Sequence, residues 1–199
     1  LMNTNILKPQ LLRQLFEIGS SYSGELLSLT KVAAQMQDAG NTTTVTGYLN
    51  LLSQAGLVCG LNEYAVDMAR QKNSVPKHQV YNNALKNIYC QKPFADAVMD
   101  RSLWGRLYES AIGAHIMSNA YAGDYQVFYW RTKPGCEVDY VLQKNGRLIA
   151  IEVKSNDDPG NTGLTEFKAL FKPHLALVVG DGGMKAEDFL SSNPADLFK

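Results

Sequence analysis

Residues 149–155 read Ile149-Ala150-Ile151-Glu152-Val153-Lys154-Ser155, and on a strand successive side chains point to opposite faces. Ile149, Ile151 and Val153 therefore share one face, while Glu152 and Lys154 share the other. A carboxylate and an ammonium project together from a strand whose opposite side is apolar. Just upstream, Lys144-Asn145-Gly146 holds an Asn-Gly pair suited to the positive backbone angles of a tight hairpin turn. Strand 147–154 thus pairs antiparallel with a strand over 137–142. That strand carries Asp139 between Val138 and Tyr140, ahead of the apolar Val141-Leu142. Acidic side chains on adjoining strands can converge on one cation.

Working outward, Lys133-Pro134-Gly135 joins this hairpin to an earlier strand over 125–131, making an antiparallel meander. Before it, apolar positions at Leu103, Leu107, Ile112 and Ile116 recur at helical spacing and predict a helix over 102–120, with Glu109 inside it. After it, a helix over 164–171 leads to Leu175-Ala176-Leu177-Val178-Val179, a continuous apolar run that predicts a strand buried on both faces. The N-terminal part reads differently. Leu11, Leu12, Leu15, Phe16 and Ile18 predict a helix over 8–18 that stops at Gly19. Ser28 or Thr30 can cap a second helix to about Asp38, and Asn41 or Thr42 a third that ends at Gly56. Leu57-Val58-Cys59-Gly60-Leu61 reads as a short strand. Three short helices and then a strand pair outline a winged helix-turn-helix. Asn73-Ser74-Val75-Pro76 is polar and proline-marked and is followed by a strand-like stretch around Val80 and Tyr81. The domain break is therefore placed near residue 75, giving modules 1–75 and 76–199.

Composition bounds the partners. Lys plus Arg balance Asp plus Glu at 19 each among 199 residues, so no overall positive field draws in a nucleic acid. The three cysteines, Cys59, Cys90 and Cys136, form no Cys-x-x-Cys pair, which points to a reducing cytoplasm and away from disulfides or structural zinc. No apolar run approaches the roughly 20 residues of a membrane helix, and no signal-peptide pattern opens the chain. Leu1 precedes Met2; the expectation is a piece of a longer protein, or a start that carries a foreign residue.

Hard divalent ions take oxygen ligands from one or two carboxylates and keep several waters, leaving room for a phosphate and an attacking water. A neighbouring lysine can orient that water or offset charge developing on the phosphate. The bland alternative for Glu152 and Lys154 is a solvated strand face with a weak ion pair; Asp139 on the adjoining strand and Glu109 on the preceding helix favour the metal reading.

The pieces Leu103-Trp104-Gly105-Arg106-Leu107-Tyr108-Glu109, Tyr129-Trp130-Arg131, Glu137-Val138-Asp139-Tyr140-Val141-Leu142 and Ile149-Ala150-Ile151-Glu152-Val153-Lys154-Ser155 occur in that order. In order and spacing they resemble the PD-(D/E)xK nuclease superfamily, and more narrowly the DUF4143 C-terminal region of a bacterial and archaeal family of AAA-type ATPases. Lys77-His78-Gln79-Val80-Tyr81 and the N-terminal helix pattern extend the resemblance over most of the chain. The resemblance implies an α/β (α+β) architecture: a winged-helix-like module, then a restriction-endonuclease-like domain with a central mixed sheet flanked by helices. It implies Glu109, Asp139 and Glu152 as ligands of Mg²⁺ or Mn²⁺ and Lys154 beside the attacked phosphate of DNA or RNA. The expected class is thus a metal-dependent hydrolase, with a noncatalytic binding module of the same fold as the alternative. It also implies an ATPase module elsewhere in the native protein; no Gly-x-x-x-x-Gly-Lys-[Ser/Thr] loop occurs in this sequence, so these residues are not expected to bind ATP by that route. Val138 stands where the superfamily's eponymous proline would be.

Other residues divide between readings. Arg131 and Lys133 are either phosphate contacts or ordinary turn charges, and Asp157 and Asp158 read as loop solvation. The helix over 42–55 contains no Lys or Arg, which favours a protein-contact or spacer role over base reading. Lys31, Lys72 and Lys77 remain as candidate backbone contacts. His78, His115 and His174 share no ligand spacing, Cys136 lacks a Cys-His-acid set, and Tyr125, Phe128, Tyr129 and Trp130 read as core.

Overall fold

A computed structural model describes residues 8–37, 40–120, 122, 124–132, 135–156 and 162–199. In the N-terminal half, α1 (Pro9–Ser21), α2 (Leu29–Gln35) and α3 (Thr42–Gln54) bury Leu11, Leu15, Val32, Val45, Leu49 and Leu52 against one another. Pro9 opens α1, where its missing N–H costs nothing. Gly19, expected from the sequence to stop this helix, lies inside it. A Cβ there would sit 2.7 Å from Val58 Cγ1, so the glycine serves close packing rather than termination. Ser28 caps α2 by accepting from Lys31 N, and Asn41 caps α3 by accepting from Thr44 N. α2 ends at Gln35, short of the expected Asp38, which lies outside the described residues.

β1 (Val58–Leu61) and β2 (Lys77–Val80) pair antiparallel, Val58 opposite Val80 and Leu61 opposite Lys77. Leu26 adds an isolated bridge to Lys77. β2 lies past position 75, so the small sheet runs across the boundary expected there. Between these strands falls α4 (Met68–Lys72), and after them α5 (Ala84–Asn87) and α6 (Phe94–Met99). These short helices carry too few turns for an apolar stripe to be read from sequence.

The second half begins with α7 (Arg101–Ala120), followed by β3 (Gln126–Arg131), β4 (Glu137–Lys144), β5 (Arg147–Lys154), α8 (Thr162–Phe171) and β6 (Leu175–Gly180). They form a mixed sheet in the order β3-β4-β5-β6, antiparallel until β6 joins β5 in parallel. The β4–β5 turn takes the positive angles its Asn-Gly pair predicts, φ 50° at Asn145 and 78° at Gly146. The Lys133-Pro134 part of the preceding turn lies outside the described residues. On one face, Tyr140, Leu142, Ile149 and Ile151 pack with Ile112 and Ile116 of α7. On the other, Phe128, Trp130, Val138, Val141 and Ala150 pack with Leu164 and Phe167 of α8. The apolar run 175–179 corrects one expectation. β6 is an edge strand in which Val179 alone is fully buried, because parallel addition through α8 places it last in the sheet. α9 (Ala186–Ser191) and a 3₁₀ turn at Pro194–Phe198 close the chain's packing, with Phe189 and Phe198 in the α7-side core.

The two halves meet at β2, whose four residues are all buried although three are polar. His78 Nε2 lies 3.1 Å from the Leu27 carbonyl, which only accepts, so Nε2 carries the hydrogen. Gln79 Nε2 donates to Ser110 O at 3.0 Å, and its Oε1 accepts from Tyr140 OH at 2.9 Å. Gly113 of α7 lies over this pair. A Cβ there would fall 2.2 Å from Tyr140 Oη and 2.4 Å from Gln79 Oε1.

Two expectations follow from this junction. Gly113→Ala forces α7 away from β2 and β4 and lowers stability by about 1–3 kcal/mol, the range for overpacking a core, measured as a fall in the urea midpoint. Burial holds the His78 pKa below its ordinary 6.5, so the folded state binds that proton less well than the unfolded chain. The stability that neutral His78 contributes is present above the unfolded value and is lost as pH falls through it toward the folded one. Chemical melts between about pH 7 and 5 should show a steeper loss in wild type than in His78→Gln.

Candidate functional site

Asp139 owes its position to an irregularity in β4. Phe128 pairs with Val141 and Trp130 with Val138, so Asp139 and Tyr140 together stand opposite Tyr129 alone. Such a bulge bends the strand and re-aims a side chain. The regular β4–β5 ladder begins at Tyr140 opposite Ile151, and beyond it Asp139 Oδ2 accepts from Val153 N at 2.8 Å. A carboxylate takes the place of a strand carbonyl, which fixes Asp139 beside Glu152.

Asp139, Glu152, Lys154 and Glu109 all line one cleft of about 510 Å³, together with Glu25, Glu137 and the start of α8 at Thr162 and Gly163. The structure thus brings together the residues expected from sequence. Lys154 Nζ lies 2.9 Å from Glu152 Oε1. Glu152 is 7% exposed, and burial raises its pKa while Lys154 pulls it down. Its other oxygen, Oε2, is buried with no hydrogen-bond partner. This pair is therefore not a solvated strand face.

Lys77 was not foreseen here. Expected as a candidate backbone contact, it is 1% exposed, with Nζ 2.6 Å from Glu109 Oε1, 3.5 Å from Glu137 Oε1 and 3.6 Å from Asp139 Oδ1. Nζ also donates to the Asp139 carbonyl at 3.3 Å and lies 5.0 Å from the Tyr140 ring centre. Burial works to lower its pKa, but Glu109, Asp139 and Glu137 outweigh it and hold the ammonium well above the usual lysine range. Burial pushes Glu109 up to about 7, against the pull of Lys77. The charged ammonium is the state the geometry favours, because three carboxylates and an aromatic face share it. Glu137 was missed as well, although it sits two residues before Asp139 in the strand that was read.

Among the described residues, no group of three or more His, Cys, Asp or Glu side chains is arranged to hold a metal ion. Glu109 and Glu137 are engaged by Lys77. Asp139 and Glu152, with the unpartnered Glu152 Oε2, are the donors that fit a hard cation held by two carboxylates and water. Arg131 does not line this cleft; it lines a neighbouring one with Arg70 and Glu63. Lys133, Asp157 and Asp158 lie outside the described residues. Cys136 packs beside the α8-side core. His78 and His115 each meet a backbone carbonyl, of Leu27 and Ser192.

Residues 104–191 match the family model described as Domain of unknown function (DUF4143), and residues 2–92 match that of Domain of unknown function (DUF8612). The first match supports a DUF4143 domain over the stretch that holds Glu109, Asp139, Glu152 and Lys154. Lys77 falls within the second. No curated protein matches the chain. Among solved structures, the crystal structure of protein VC1899 from Vibrio cholerae is similar at 16% identity and a TM-score of 0.30, over 98% of this chain and 52% of that one. The chain spans about half the length of that structure. No helix among the described residues is long and apolar enough to cross a membrane.

Proposed function

We propose that this chain is the C-terminal part of a cytoplasmic AAA-type ATPase-family protein and carries a PD-(D/E)xK-type phosphodiesterase site acting on nucleic acid. The observation that carries this reading is the convergence of Asp139, Glu152 and Lys154 on one cleft, with a buried Glu152 oxygen left unpartnered. Asp139 and Glu152 would hold Mg²⁺ or Mn²⁺, which supplies a Lewis acid and lowers the pKa of a bound water. Val153 N–H fixes the Asp139 carboxylate, and Lys154, held by Glu152, offsets charge developing on a phosphate. The N-terminal half serves as a winged-helix-like module. The exposed positions of α3, Thr42, Thr43, Thr46, Gly47, Asn50 and Gln54, offer no Lys or Arg, so its role is contact with protein, the ATPase module first among candidates, rather than base reading.

A second reading is favoured by Lys77, which pairs with three of the cleft's carboxylates, Glu109, Glu137 and Asp139. On it, the fold is a noncatalytic module that binds nucleic acid or protein without a metal. Mn²⁺ titration calorimetry on wild type, Asp139→Ala and Glu152→Ala separates the two. The phosphodiesterase reading expects binding in wild type that is lost in both variants, and Mg²⁺-dependent cleavage of single- or double-stranded DNA or RNA that Lys154→Ala lowers at least tenfold. Wild-type protein that binds no Mn²⁺ and leaves every substrate intact sinks that reading in favour of the second.

A further inference from the structure

We infer that Lys77 is the resident cation of the Glu109 side of the cleft, so that the acidic cluster as folded has room for at most one divalent ion, on the Asp139–Glu152 side. Carboxylate oxygens from α7 and β4, a backbone carbonyl and an aromatic face surround the Lys77 ammonium within the distances given above. These are the donors a hard metal ion would otherwise take. A divalent ion bound at Glu109 would be a like charge beside a buried ammonium, in surroundings that screen poorly.

The cluster is divided accordingly. Glu109 and Glu137 compensate Lys77, which alters the role that resemblance gives Glu109. Asp139 belongs to both sides: Oδ1 faces Lys77 and Oδ2 is held by Val153 N–H. Because Lys77 lies on β2, the N-terminal sheet supplies the cation that holds the second half's carboxylates in place. Lys77 is thus a positioning residue and a limit on metal stoichiometry. It stands whether or not the Asp139–Glu152 side takes a metal.

The test counts Mn²⁺ ions bound per 199-residue chain, by calorimetry and by electron paramagnetic resonance, in wild type, Lys77→Arg and Lys77→Met. Lys77→Met keeps the length of the stem and removes the charge. The expected result is one more Mn²⁺ per chain in Lys77→Met than in wild type, with Lys77→Arg unchanged. Equal stoichiometry in wild type and Lys77→Met overturns the inference. Wild type binding none and Lys77→Met binding one upholds it while removing the phosphodiesterase reading; one ion in each does the reverse. Where Lys77→Met does not fold, amine acylation of native wild type decides, read at Lys77 by peptide mass spectrometry. Lys77 should resist the reagent with and without saturating Mn²⁺, and labelling that appears on adding Mn²⁺ means that metal displaces the ammonium and overturns the inference.

Discussion

Taking an ammonium out of water costs on the order of several kcal/mol even after relaxation, and Lys77 is 1% exposed. That cost is met only when β2, α7 and β4 have come together, since its compensating oxygens belong to Glu109, Glu137 and Asp139. The same strand buries His78 and Gln79, whose partners are the Leu27 carbonyl, the Ser110 carbonyl and Tyr140 OH. Lys77 and Gln79 both reach α7 and β4, and His78 reaches the segment just before α2. A strand that closes the small sheet by its backbone therefore joins the two halves by its side chains, and an error in that docking leaves buried polar groups unpaired.

The same demand shapes the second half. Tyr140 donates to Gln79 Oε1, and its hydroxyl also lies 3.1 Å from the Glu109 carbonyl, so α7 must approach β2 and β4 closely. Gly113 is where it does so. The bulge at Asp139 and Tyr140 lets adjacent residues of β4 serve one cluster: Tyr140 reaches the α7-side core, and Asp139 turns toward the cleft and the end of β5. A regular strand would send these two side chains to opposite faces. The site is thus a consequence of how the halves are packed, and β4 is the element both of its neighbours constrain.

What was legible in the sequence was local. The alternation in 149–154, the Asn145-Gly146 turn, the long helix around Glu109 and the caps at Ser28 and Asn41 each depend on residues a few positions apart, and the structure has them. That Asp139, Glu152 and Lys154 would lie near one another was legible because two hairpin-linked strands carry them, and they line one cleft. Lys77 was not, because lysine is almost never fully buried and one of its acceptors, the Asp139 carbonyl, is 62 residues away. No neighbouring position marks it. The bulge left no local signature either, since it is defined only against β3. β6 misled because an apolar run reports hydrophobicity and not place in the sheet order. Gly19 misled because a glycine required for close packing reads the same as one that ends a helix.

The balance of charge gives the cleft a direction of use. The chain is neutral overall at pH 7, yet Glu25, Glu109, Glu137, Asp139 and Glu152 line the cleft against Lys77 and Lys154, and Glu25 also reaches Lys86 and Arg106 at 4.0 and 3.7 Å. With its carboxylates ionised, such a surface repels a phosphate diester, and no basic face on α3 compensates from a distance. On the phosphodiesterase reading, a divalent ion must therefore enter before the polyanion does, and the polyanion must be held by something other than this chain's own field.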